Sequence, residues 1–121
     1  MTDLFDFLDA RITDDEAAIK EISEPSTTTD AWTGVPPVGH PIRLLSELAV
    51  KRLIIADHAP DAQAAASPDV RPCRQCTASR DRSRVTIDWD VDARVEAPCD
   101  TVRMLGVVYA DHPDYRQEWR P

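Results

Sequence analysis

Two cysteines separated only by Arg74 and Gln75, in the run Cys73-Arg74-Gln75-Cys76, constrain this chain more than any other feature. A pair at that spacing presents both sulfurs from one tight turn, and metal sites are often built on such a turn. Two further donors stand at separations that only tertiary structure can close. His58 ends a predicted helix, 14 residues intervene before Cys73, and 22 residues intervene between Cys76 and Cys99. Zinc takes four nitrogen or sulfur donors in a tetrahedron, and one His with three Cys is an established set. The chain is therefore expected to fold around a structural zinc ion held by His58, Cys73, Cys76 and Cys99.

Size supports that expectation. The chain has 121 residues, 42% of them hydrophobic but only 6% aromatic, which suits one domain (1–121) with a modest core. Cores of that size are commonly stapled, and a metal is one such staple. Three cysteines is an odd count, so a closed disulfide framework would strand one thiol. Four protein donors leave no open position for water or substrate, which marks a structural rather than a catalytic ion. A redox use of Cys73 and Cys76 lacks the strand–Cys-x2-Cys–helix setting of thioredoxin-like proteins. His112, with 12 residues intervening after Cys99, is the rival fourth ligand, although Asp111-His112-Pro113 reads as a helix-ending turn. His40 lies among turn residues and reads as an ordinary exposed loop histidine.

Net charge is −8 and uneven: residues 1–30 carry nine acidic and two basic side chains, while 61–121 carry eleven and nine. Phosphate repels such a surface, which argues against nucleic-acid binding by the chain as a whole. The local exception is Arg71, Arg74, Arg80, Arg82 and Arg84 around the cysteine pair, a possible single-strand clamp. No aromatic is interleaved there for base stacking, and Asp69, Asp81 and Asp88 offer those arginines partners. No apolar run approaches the length of a membrane span, and the acidic N-terminus does not resemble a signal peptide. The expected compartment is the cytoplasm, where thiols stay reduced. Enzyme signatures are missing: there is no Ser–His–Asp order, and three glycines cannot form a nucleotide loop.

Periodicity predicts three helices. Leu4, Leu8, Ile12, Ile19 and Ile22 repeat at helical spacing, giving a helix over about 3–24 that is capped at Thr2-Asp3. Phe7 falls off that stripe and is read as available to a partner. After a Pro/Gly-rich loop (25–40), Leu44, Leu45, Leu48, Ile55 and Ala56 predict a second helix over about 41–57. Pro41 lies in its first turn, and Glu47 is spaced for an ion pair with Lys51. Val85, Ile87, Trp89 and Val91 alternate with polar residues, predicting a strand or short hairpin within the 58–98 segment. A third helix is expected over about 99–110, with Val102, Leu105, Val108 and Tyr109 inward, followed by a tail. The fold class is mainly α (small α+β): a three-helix bundle, with the zinc knuckle and strand between helices two and three. Trp32, Trp89, Tyr115 and Trp119 are expected to lie over its core.

The run Cys99-Asp100-Thr101-Val102-Arg103-Met104-Leu105, then Tyr109-Ala110-Asp111-His112-Pro113-Asp114-Tyr115-Arg116 and Glu118-Trp119, resembles the C-terminal signature of a family of small proteins. These proteins occur in actinobacteria and their phages and are catalogued as a domain of unknown function. Met1-Thr2-Asp3-Leu4, Phe7-Leu8, Ala10-Arg11, Asp14-Asp15-Glu16-Ala17-Ala18 and the Lys51-Arg52 helix ending at His58 resemble the same family. The strand-like insert at 85–95 departs from its pattern. The resemblance implies a His, a Cys pair and a further Cys before the last helix, and it brings no catalytic assignment. The function expected is that of a small, non-enzymatic accessory protein of phage or prophage type that binds a host or phage protein, with the acidic first helix as its surface. The alternative is a nucleic-acid-binding knuckle.

Overall fold

The structure, a computed structural model, describes residues 3–22, 39–60, 72–76 and 95–121. They form helices α1 (Leu4–Ile22), α2 (Pro41–Asp57) and α3 (Asp100–Gly106), with short 3-10 turns at Val107–Tyr109 and Gln117–Trp119. All three helices touch one another, so the described residues are mainly helical and arranged as a three-helix unit. Pairing of extended backbone among them is confined to two isolated antiparallel bridges, Pro60 with Cys73 and Pro72 with Glu96. The strand expected over 85–95 lies outside the described residues except at Val95, as do Trp32 and Trp89. Among the described residues no helix is long and apolar enough to cross a membrane.

Asp3 starts α1: its carboxylate accepts the Asp6 amide at 2.9 Å, satisfying one of the donors that a helix leaves free at its N-terminus. The helix buries Leu4, Phe7, Leu8 and Ile12, whereas Ile22 is 77% exposed. The expected stripe thus fades along the second half of α1. Phe7 is a correction. It is 3% exposed, and the rings of His112, Tyr115 and Trp119 lie 5.1–6.0 Å from its own. Positions 7 and 11 form a second line of the helix beside Leu4 and Leu8, and the C-terminal tail covers that line. Tyr115 and Trp119 are buried in this corner, edge to face at 5.6 Å.

Gly39, at φ +84°, turns the chain into α2. His40 is the N-cap rather than a free loop residue: it is half-buried, and its Nδ1 accepts the Ile42 amide at 3.2 Å. Pro41 follows at N1. Only Leu48 of α2 is buried, while Ile42, Val50 and Leu53 are exposed. Glu47 pairs with Arg43 at 3.2 Å. Its expected partner, Lys51, instead lies 6.0 Å from the centre of the Tyr109 ring. Arg52 ties α2 to α1 by bonding Asp9, Thr13 and both oxygens of Glu16. Its hydrogen bond holds the Glu16 carboxyl below the usual range.

The third helix is shorter than expected, tightening into a 3-10 turn at Val107. A Cβ on Gly106 would come within 3.3 Å of Leu4 Cδ1, so glycine lets α3 close onto α1. Arg103 fastens the tail, donating from Nη1 to the Glu118 carbonyl at 2.8 Å and from Nε to Pro98 at 3.0 Å. Tyr109 donates to Asp15 at 2.7 Å, and burial together with that bond pushes its hydroxyl pKa up.

Candidate metal centre

Three chain segments converge at the C-terminal end of α2. His58 is the C-cap residue of that helix, its amide bonded to Ile54 and Ala56. The cysteine pair is pinned beside it by backbone. Arg74 donates to the Ala59 carbonyl at 3.1 Å, and Cys73 donates to the Val95 carbonyl at 2.6 Å. Residues 74–76 then turn helically, which swings Cys76 back towards Cys73. Cys99 arrives from the other side as the N-cap of α3.

The result is a compact donor set. His58 Nδ1 lies 3.4 Å from Cys73 Sγ, 3.4 Å from Cys76 Sγ and 3.3 Å from Cys99 Sγ. All four donor atoms lie within 4.8 Å of one another. A neutral imidazole nitrogen has one proton or one lone pair, so it cannot hydrogen-bond three thiols at once. A shared centre explains the convergence better. Tetrahedral zinc bonds of roughly 2.0 Å to nitrogen and 2.3 Å to sulfur would set donors roughly 3.5–3.8 Å apart. The observed contacts are close to that spacing, so the four residues predicted from the sequence fit a metal ion, and their softness is compatible with zinc.

Burial is graded across the site. Cys73 is fully buried and Cys99 is 3% exposed, while His58 and Cys76 are half-buried. Cys73 and Cys99 belong to the same apolar cluster as Leu4, Phe7 and Val102, with Ile55, Val95 and Ala97 packed against it. Burial pushes the Cys76 thiol up to about 12, helped by the neighbouring sulfurs. Cys99 goes the other way. Burial raises it, but the Val102 amide, the two other thiols and the Thr101 amide together hold it below its ordinary value. A thiol at a helix N-terminus is the usual place to find that balance. Three free thiols are held together here without a disulfide.

His112, the rival ligand, stands elsewhere. Its Nδ1 accepts the Asp114 amide at 3.1 Å, its Nε2 faces Arg11, and its ring packs on Phe7 at 5.6 Å. Of the arginines around the knuckle only Arg74 is among the described residues, and it is exposed; Arg71, Arg80, Arg82 and Arg84 lie outside them. Sequence reasoning missed the ring cage around Phe7 and the capping role of His40. Tyr115 and Trp119, two large aromatics four residues apart in a polar tail, were the available signal for the first.

The chain belongs to a family of unknown function, DUF6221, whose model matches residues 1–121. No curated protein and no solved structure matches it.

Proposed function

We propose that this chain is a small non-enzymatic accessory protein, folded around one structural zinc ion, that acts in the cytoplasm by binding another protein. The observation that carries the metal reading is the placement of His58 Nδ1 within 3.4 Å of three cysteine sulfurs. His58, Cys73, Cys76 and Cys99 would hold the ion. Its contribution is four coordinate bonds that join α2, the knuckle and the start of α3. A complete set of protein donors argues for a structural role. The likeness of the C-terminal signature to actinobacterial and phage proteins supports an origin of phage or prophage type, with a host or phage protein as the target.

The binding part of the proposal draws on surface chemistry. Ile42, Val50 and Leu53 on α2, and Met104 and Val108 on α3 and the turn after it, are each more than half exposed. Large apolar side chains on a net charge of −8 suit a protein partner better than a phosphate backbone. The test uses immobilised protein as bait in a host lysate, with Leu53→Lys as the comparison. Capture of one defined protein, lost in L53K while the melting curve is unchanged, is expected. Salt-sensitive capture of nucleic acid by the unaltered chain would replace this reading with the nucleic-acid one.

A further inference from the structure

The outward face of α2 has a pattern that neither the core nor the metal cluster uses. Ile42, Ser46, Ala49, Leu53 and Ala56 recur at alternating spacings of four and three, and all of them are exposed. This is the spacing of a coiled-coil seam, which returns to one side of a helix about every 3.5 residues. The seam runs the length of α2 without a charge, and Val50 lies beside it. Ile42, Val50 and Leu53 are 59%, 53% and 67% exposed. The outer side of α1 differs, presenting Asp9, Asp14, Lys20 and Glu21 to solvent. Isolated surface hydrophobics need no explanation, but a continuous uncharged line along one helix marks a contact surface.

We propose that this face pairs with the same face of a second copy of the chain, the two α2 helices lying antiparallel about a two-fold axis at Val50. Such an axis brings equal flanks together, so that position i meets position j and j meets i. Arg43 and Asp57 share the Val50 flank, one seven residues before it and the other seven after. Arg43 of each copy then faces Asp57 of the other, which sets opposite charges together at both ends of the pair. On the seam the same axis sets Leu53 against the small Ala49, and Ser46 against the small Ala56. Arg43 already donates to Glu47 from Nε at 3.2 Å, and its fork of N–H groups can serve a second carboxylate. Arg52, on the other flank, is brought towards its own copy, but Asp9 and Glu16 already neutralise it. The element itself is nearly neutral, with three basic and two acidic side chains on a chain of net charge −8. One helix face per copy is a small contact, below roughly 1,200 Å² in total, so the pair is weak, with a dissociation constant on the order of 100 μM. At the low micromolar concentrations of a melting curve the chain is a monomer. The inference rests on the protein-binding reading in taking the outer face of α2 as a contact surface, and it names a second copy as the occupant.

Sedimentation equilibrium of purified full-length protein, from about 10 to about 500 μM, tests it. A monomer–dimer equilibrium is expected, and Leu53→Lys should abolish it. Arg43→Glu and Asp57→Lys each place a charge that the helix dipole favours at its own end. Either alone should weaken the dimer by about fivefold or more with the fold intact. The double variant R43E/D57K, and an equimolar mixture of the two single variants, should recover the original affinity, because the antiparallel axis again faces opposite charges. A parallel pair would put Arg52 rather than Arg43 near Asp57, and R43E would then have no effect. A monomer at every concentration overturns the self-pairing alone, since capture of a foreign protein is read separately in the lysate. A dimer indifferent to L53K, an unchanged affinity in R43E, or a double variant no better than the singles would overturn it as well. A monomer that captures a foreign protein through Leu53 would give the face to that protein instead. A monomer whose own melting curve drops in L53K would give it to another segment of this chain.

Discussion

Helices α1 and α2 are nearly equal in length, 19 and 17 residues, and both show apolar periodicity, yet α1 buries four residues and α2 buries one. The difference lies in what surrounds them. α1 is covered by α2, by α3 and by the tail, so both its main stripe and the line through Phe7 are buried. α2 packs through Leu48 and leaves Ile42, Val50 and Leu53 outside. Burying one such side chain contributes about 1.5–3 kcal/mol. The surface pairs of Arg52 add about 0–1 kcal/mol each. Neither matches a structural zinc site, whose binding free energy of about 10–16 kcal/mol in zinc-finger peptides is also folding energy. With zinc in the proposed site, a helix that fully buries only Leu48 would be held mainly at its end, through His58. α1 is a packed helix and α2 an anchored one.

The sharpest way to break this contrast is to remove a sulfur. Cys73→Ser deletes a fully buried donor and should leave α2 unanchored, with loss of the cooperative transition in circular dichroism. A normal melt with metal retained would show that α2 does not depend on the cluster. On the packed side, Phe7→Ala should cost about 3–5 kcal/mol in urea denaturation without changing metal content. A cost below about 1 kcal/mol would mean that the aromatic corner is not a core.

His58→Ala should fall between these and a surface change. Three thiols remain to hold the ion, and a hundredfold weaker site removes about 2.7 kcal/mol at saturating metal. The anchored helix should then lose amide-exchange protection before α1 does, and simultaneous loss in both would erase the distinction. Smallest of all, Leu53→Ser should change stability by no more than about 0.5 kcal/mol, since the side chain is 67% exposed. A large loss would mean that this face is covered.

Acidity distinguishes the two states of the cluster. In metal-free protein Cys76, raised from about 9 to about 12, contributes stability below pH 9 and loses it as pH rises through 12. Cys99, lowered, acts in the opposite sense over its own range. Metal-loaded protein needs all three thiolates, so its stability should fall as pH drops and protons return to sulfur. Melting curves of the metal-loaded protein from pH 5 to 9 check the sign: the midpoint should fall as pH drops, and a midpoint that rises towards pH 5 would contradict thiolate ligation.

The cluster was legible in the chain because Cys-x2-Cys is a local geometry and donor chemistry restricts its partners. His58, Cys73, Cys76 and Cys99 could be assembled without knowing the path between them. The spans of α1 and α2 were legible for the same reason, since Asp3, Pro41 and the apolar periods act locally. Burial was not. Phe7 seemed surplus because a single stripe describes one neighbour, and the tail supplies a second. Ala56 and Val108 were expected on buried faces because hydrophobicity does not say whether anything lies opposite, and both are exposed. Arg103 belongs to a recognisable motif, but its bonds to the carbonyls of Glu118 and Arg120 depend on where the tail returns.

The most direct test measures metal and stability on one sample. Full-length protein purified without chelator should contain about one zinc per chain by elemental analysis, and a strong chelator should remove the zinc and abolish the thermal transition. Restoring zinc should restore both. Metal-free protein with an unchanged melting curve would contradict the claim that His58, Cys73, Cys76 and Cys99 hold α2 in place.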